Sequence, residues 1–177
     1  MGEVSENIKA SFANILHIYE ETASLFLDAD DLMERNGYKS LRGAALEAGL
    51  SRSLDYPRWW ALFSGVRYYI SEDDPWVAKS IAVFFLDARQ EPIDPIVVFS
   101  SMRGKRDEDE DQVNPSWVVR DAWTDGIQDQ TVGAEHLFEN IRKVESGKLK
   151  SLYLEEIIDR TTLELAIINP LIEMDWK

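Results

Sequence analysis

RWWALFSGVRYYISEDDPWVAKSIAVFFLDARQEPIDPIVVFSSM, residues 58–102, decides the fold class. Blocks rich in β-branched and aromatic residues are broken by Glu72-Asp73-Asp74-Pro75 and by Glu91-Pro92 through Pro95. Branched and ring side chains pack well on a pleated surface, and Pro and Asp end pairing, so the stretch predicts consecutive antiparallel strands joined by short turns. The expected strands are Arg58–Ile70, Trp76–Asp87 and Ile96–Met102, with a fourth over Ser116–Trp123 after the acidic run Asp107–Asp111.

Side chains alternate across a strand, so Trp59-Trp60, Tyr68-Tyr69 and Phe84-Phe85 each place one ring on either face. A sheet with two apolar faces has to be covered twice. Any face that the helices leave open is a ligand cavity, an interface, or the seat of the C-terminal tail.

Upstream, apolar residues fall at Ile8, Phe12, Ile15, Tyr19, Ala23, Phe26 and Met33, with Asp30 standing where one more is expected. This spacing predicts an amphipathic helix that Ser5 caps and Asn36-Gly37 stops; Asp28 to Asp31 is where it would break. A short second helix is expected over Ser40–Gly49. Downstream, Leu137, Phe138, Ile141 and Val144 share one helical face, which predicts a helix over 134–146 with Gly147 as its stop. The tail from Leu149 to Trp176 is expected to add strand, because Thr162 to Ile168 alternates. Helix, meander sheet, helix and tail give an α+β fold, and 177 residues suit a single domain spanning 1–177.

The chain carries 19 basic and 33 acidic residues, a formal charge of −14. Such a chain repels phosphate, which argues against nucleic-acid partners and against anionic lipid. No uncharged apolar stretch approaches the ~18 residues that a membrane span requires, and the acidic N-terminus is unlike an export signal. Cys is absent, so disulfides, thiolate nucleophiles and Cys-ligated metals are excluded; a cytoplasmic location is expected.

Candidate chemical groups are few. His17 and His136, the only two histidines, are both expected at the surface, and neither sits in a Glu-x-x-His or HExxH pattern, so no metal site is expected. The acidic run Asp107, Glu108, Asp109, Glu110, Asp111 fails as a calcium loop, since Gln112 occupies the sixth position and Val118 the twelfth. It reads instead as a solvated loop or as a docking site for a basic partner. No GxSxG, GxGxxG or GxxxxGK[ST] occurs, and no cofactor is expected. Arg67 in a strand is unusual; it is expected to pair with a carboxylate or, inside a cavity, to hold one from a ligand.

The leading expectation is a non-catalytic binding module of the adaptor, inhibitor or immunity type, whose acidic, aromatic-anchored surface recognises a basic macromolecule. The alternative is a small-molecule binder with an apolar cavity between sheet and N-terminal helix, lined by Trp60, Tyr68, Phe84 and Arg67. A homodimer is left open.

Overall fold

A computed structural model describes residues 2–41, 43, 45–48, 64–86, 92–106, 109–126 and 132–175. The N-terminal helix α1 (Gly2–Arg35) is unbroken through Asp28–Asp31. It ends at Gly37, whose φ of 80° suits a residue without a Cβ, and the Gly37 amide donates to the Glu34 carbonyl at 3.1 Å. The chain then turns into β1 (Tyr38–Ser40) and, after a gap, β2 (Glu47–Ala48), so two short strands stand where the sequence predicts a helix over 40–49. Both pair with β3 (Ser64–Ser71), which continues into β4 (Val77–Leu86) and β5 (Pro92–Gly104) as an antiparallel meander. The expected first strand is observed from Ser64 onward; Arg58 to Phe63, with Trp59 and Trp60, lie outside the described residues.

Two expectations beyond the meander are overturned. Residues 118–126 form helix α2 (Val118–Gly126), not a fourth strand. The Val pair resembles a strand, yet Val118, Val119, Ala122 and Trp123 recur at helical spacing and are all buried on one side. Conversely, the helix expected over 134–146 is a hairpin of β6 (Glu135–Glu139) and β7 (Val144–Tyr153). Its turn places Asn140 and Arg142 at positive φ, 54° and 52°. Gly147 stops no helix: it lies opposite Phe138 in the ladder, and a Cβ there would overlap the Phe138 ring. The helical spacing of Leu137 and Phe138 was coincidental, since Leu137 points to solvent and Phe138 to the core.

The sheet order is β1-β3-β4-β5-β7-β6, with β2 beside β1 on the β3 edge. The first part of the tail, Leu149 to Tyr153, is strand as expected; the rest is helical. Helix α3 (Arg160–Leu163) starts at Asp159, whose carboxylate accepts the Thr162 amide at 2.8 Å, and leads through a π-turn over Glu164–Ile168 into α4 (Asn169–Glu173). Pro170 lacks the amide that would bond back to residue 166, and its ring crowds that carbonyl, which accounts for the widened turn just before it.

Both faces of the sheet are covered. On one, Val66, Tyr68, Ala82, Phe84 and Val98 pack against α2, and Phe84 stacks on Trp123 with ring centroids 5.6 Å apart. On the other, Tyr69, Ile81, Val83, Val97 and Phe99 meet Phe26, Ala29 and Met33 of α1 and Leu163, Ile167 and Leu171 of the C-terminal helices. The tail therefore joins α1 in covering the second apolar face.

Candidate functional site: the overhanging face of α1

At ~1.5 Å per residue a 34-residue helix is ~50 Å long, whereas a 10-residue strand reaches only ~33 Å. Helix α1 therefore outruns the sheet it covers. From Thr22 onward its inner face is buried, through Thr22, Phe26, Ala29, Leu32 and Met33. Tyr19, whose ring lies 6.1 Å from that of Phe85 at the end of β4, marks the edge of the covered region. Before it the same face carries Val4, Ile8, Phe12, Ile15, Leu16 and Ile18, all open to solvent: Phe12 is 63% exposed, Leu16 60% and Ile8 53%.

At 100° per residue, Val4, Ile8, Ile15 and Phe12 point in the direction of Thr22, Phe26 and Met33. The apolar stripe is one continuous face, half seated on the sheet and half projecting past it. Val4, Ile8, Ser11, Ile15, Ile18 and Thr22 follow alternating steps of four and three, the spacing of a helix-pairing seam. The opposite face carries Glu6, His17, Glu20 and Glu21; His17 lies 3.9 Å from Glu21, and Lys9 pairs with Glu6 at 3.1 Å. The six open side chains expose roughly 600 Å², the upper end of what an ordinary monomer shows in one patch.

Where α1 does meet the sheet, a buried ion pair fixes it. Arg67 is 3% exposed and donates through its Nε to Asp30 Oδ1 at 3.1 Å, through a second nitrogen to Asp30 Oδ2, and through a third to the Ala45 carbonyl at 2.7 Å. The Tyr69 hydroxyl donates to Asp30 Oδ1 at 2.9 Å; burial first, and the Asp30 charge next, push its pKa far above the ordinary phenol value. Asp30 interrupts the apolar spacing of α1 because it faces Arg67. Lys79, also buried, donates to the Met174 carbonyl at 2.7 Å and to Ser101 Oγ at 3.1 Å, tying the C-terminal helices to β4. Desolvation lowers its pKa to about 8.

The residues that the sequence proposes for a ligand cavity are not brought together. Tyr68 and Phe84 lie on the α2 face, Arg67 lies on the α1 face, and Trp60 is outside the described residues. No cavity between sheet and N-terminal helix unites them. The Tyr68 hydroxyl donates to Glu47 at 3.1 Å; the same carboxylate oxygen accepts the Trp117 amide at 2.7 Å, and Trp117 holds a φ of 64°. Of the acidic run, Asp107 and Glu108 are outside the described residues, Glu110 pairs with Lys143, and Asp111 is exposed beside Gln112 on an open groove of ~550 Å³. Another groove, of ~310 Å³, lies between α1 and the C-terminal segment, bounded by Leu25, Ile157, Leu163 and Arg160; the Arg160 guanidinium is engaged by Asp28 and Asp31. His136 is half-buried rather than at the surface, and its Nε2 has no hydrogen-bond partner.

Among the described residues no three His, Cys, Asp or Glu side chains are grouped as metal ligands would be, and no helix is long and apolar enough to cross a membrane. The stripe on α1 is what sequence reasoning missed: its spacing was legible, and the mismatch between helix and strand lengths was the available signal that half of it would stay uncovered. Comparison with known proteins finds no matching family model, no matching curated protein and no matching solved structure.

Proposed function

We propose that this chain is a binding module that joins another polypeptide through the projecting apolar face of α1. The observation that carries the reading is the continuity of one stripe: Thr22 to Met33 bury it against the sheet, while Val4 to Ile18 hold it in solvent. Leaving several large apolar side chains in water on one face forgoes ~25 cal/mol per Å², so such a face is expected to be covered in the working state. Its seam spacing fits a helix laid alongside. The sheet and the Asp30–Arg67 pair serve as the rigid base that holds α1 at a fixed angle.

The net charge of −14 supports a heterotypic form of the same reading, in which the partner surrounds its apolar contact with basic residues. Such an attraction weakens as salt rises. Photo-crosslinking in the cells that make the protein tests the module. A photoreactive residue at position 12 is expected to capture a polypeptide, and one at position 17, on the opposite face, is not. Equal capture from both positions, or none from either, refutes it.

A further inference from the structure

We infer that the polypeptide covering this face is a second copy of the chain, paired antiparallel along α1; the inference rests on the contact reading above and names its occupant. The projecting part, residues 2–19, is about 27 Å long and carries open apolar side chains from Val4 to Ile18, so its midpoint lies close to Phe12. A two-fold axis beside Phe12 lays Ile8 of one copy near Leu16 of the other and covers every open apolar residue of both. Each copy contributes roughly 600 Å², and the total of about 1,200 Å² clears the ~1,000 Å² that a specific interface needs. The two-fold also makes the interface closed and self-complementary, so it stops at two copies.

Charge selects the antiparallel arrangement over the parallel one. Each chain carries −14, and its acidic residues from Asp28 onward, including the exposed Glu72 and Asp73 turn, belong to the body beyond the overhang. Parallel pairing would bring two such bodies side by side. Antiparallel pairing sets them at opposite ends of the paired helices, separated by more than the Debye length of ~8–10 Å at ordinary salt. The seam itself holds no charged residue: Val4, Ile8, Ser11, Ile15 and Ile18 are apolar or small, and Lys9 is the only Lys or Arg ahead of Arg35. A basic partner would find its matching carboxylates on the far side of α1, at Glu6, Glu20 and Glu21, away from the stripe.

Sedimentation equilibrium of the full chain, with sodium chloride raised from ~50 to ~500 mM, tests this. The expected result is a mass of twice 20.3 kDa that persists or strengthens with salt, because screening relieves repulsion between like-charged copies. The variant Phe12→Glu is expected to raise the dimer dissociation constant about 100-fold, and His17→Glu, on the outer face, to leave it within about threefold. Register is read from cysteines placed in a chain that has none of its own. Phe12→Cys is expected to form a disulfide-linked dimer and Val4→Cys is not, since antiparallel pairing keeps the two copies of position 4 far apart. A monomer at every concentration, or a dimer indifferent to Phe12→Glu, overturns the inference; efficient linking through position 4 overturns the antiparallel form. If the chain is monomeric while position 12 still captures a different polypeptide in cells, the second copy is wrong and the contact reading stands. If position 12 captures nothing and the chain is monomeric, both fall.

Discussion

The buried amine of Lys79 makes stability depend on pH in a direction opposite to that of most ion pairs. Its Nζ reaches the Met174 carbonyl and Ser101, and it lies 5.8 Å from the centre of the Tyr38 ring, yet desolvation outweighs these partners and lowers its pKa from 10.5 to about 8. The unfolded chain then binds the proton more tightly than the native one between pH 8 and 10.5, so the native state gains stability as pH rises through this window. Linkage gives a gain of about 2 kcal/mol between pH 7 and 9.5, approaching ~3 kcal/mol above pH 10.5. Urea denaturation followed by tryptophan fluorescence, at half-unit pH steps from 7 to 9.5, measures it. The upper limit keeps below the ionisation of Tyr69 in the unfolded chain, which would act in the other sense, since its native pKa is raised. Comparison with Lys79→Met isolates the amine: contributions from other groups cancel in the difference, and the variant should lose the upward slope. Parallel pH profiles for the two proteins would show that the Lys79 ammonium is not desolvated in the native state, and the reasoning would fail.

Removing the carboxylate opposite a buried guanidinium is expected to be severe: Asp30→Ala should destabilise by ~3–5 kcal/mol in urea, because Arg67 stays buried with only the Ala45 carbonyl to bond. Tyr69→Phe removes one neutral donor to the same carboxylate and should cost only ~1 kcal/mol by the same measurement. Gly147→Ala should cost ~1–3 kcal/mol through collision with Phe138, and a double-mutant cycle with Phe138→Ala should show that the loss is not additive; additive losses would place the ring elsewhere. Phe84→Ala should cost ~3–5 kcal/mol and shift the fluorescence of Trp123, its stacking partner, where the runner-up sequence reading would have put a ligand.

Much of the fold was legible because local periodicity is strong where elements are long. Strands β4 and β5 and the helix stop at Asn36-Gly37 fall where the sequence places them, and two apolar sheet faces follow from alternation alone. The short elements were misread. Nine residues of α2 with two adjacent Val, and five of β6 with adjacent Leu137 and Phe138, fit either period over so few positions, and only contact with Phe84 or with Gly147 decides between them. The tail failed for the same reason: alternation from Leu163 through Leu165 to Ile167 is also compatible with a helix whose buried side is Leu163, Ile167 and Leu171. The Asp159-x-x-Thr162 cap was the local signal that separates the two.

By itself the sequence determined the fold class, the strongly acidic charge, the absence of thiol chemistry and the amphipathic stripe of α1, since each depends on composition or on neighbours a few residues apart. Tertiary structure alone decided which halves of that stripe are covered, because coverage depends on where the sheet ends, and which carboxylate Arg67 selects, because Asp30 is 37 residues away along the chain. It also separated Tyr68 and Phe84 from Arg67, placing them on opposite faces of one sheet. Strand order and helix overhang are properties of three-dimensional register, and residue spacing along a chain carries no record of them.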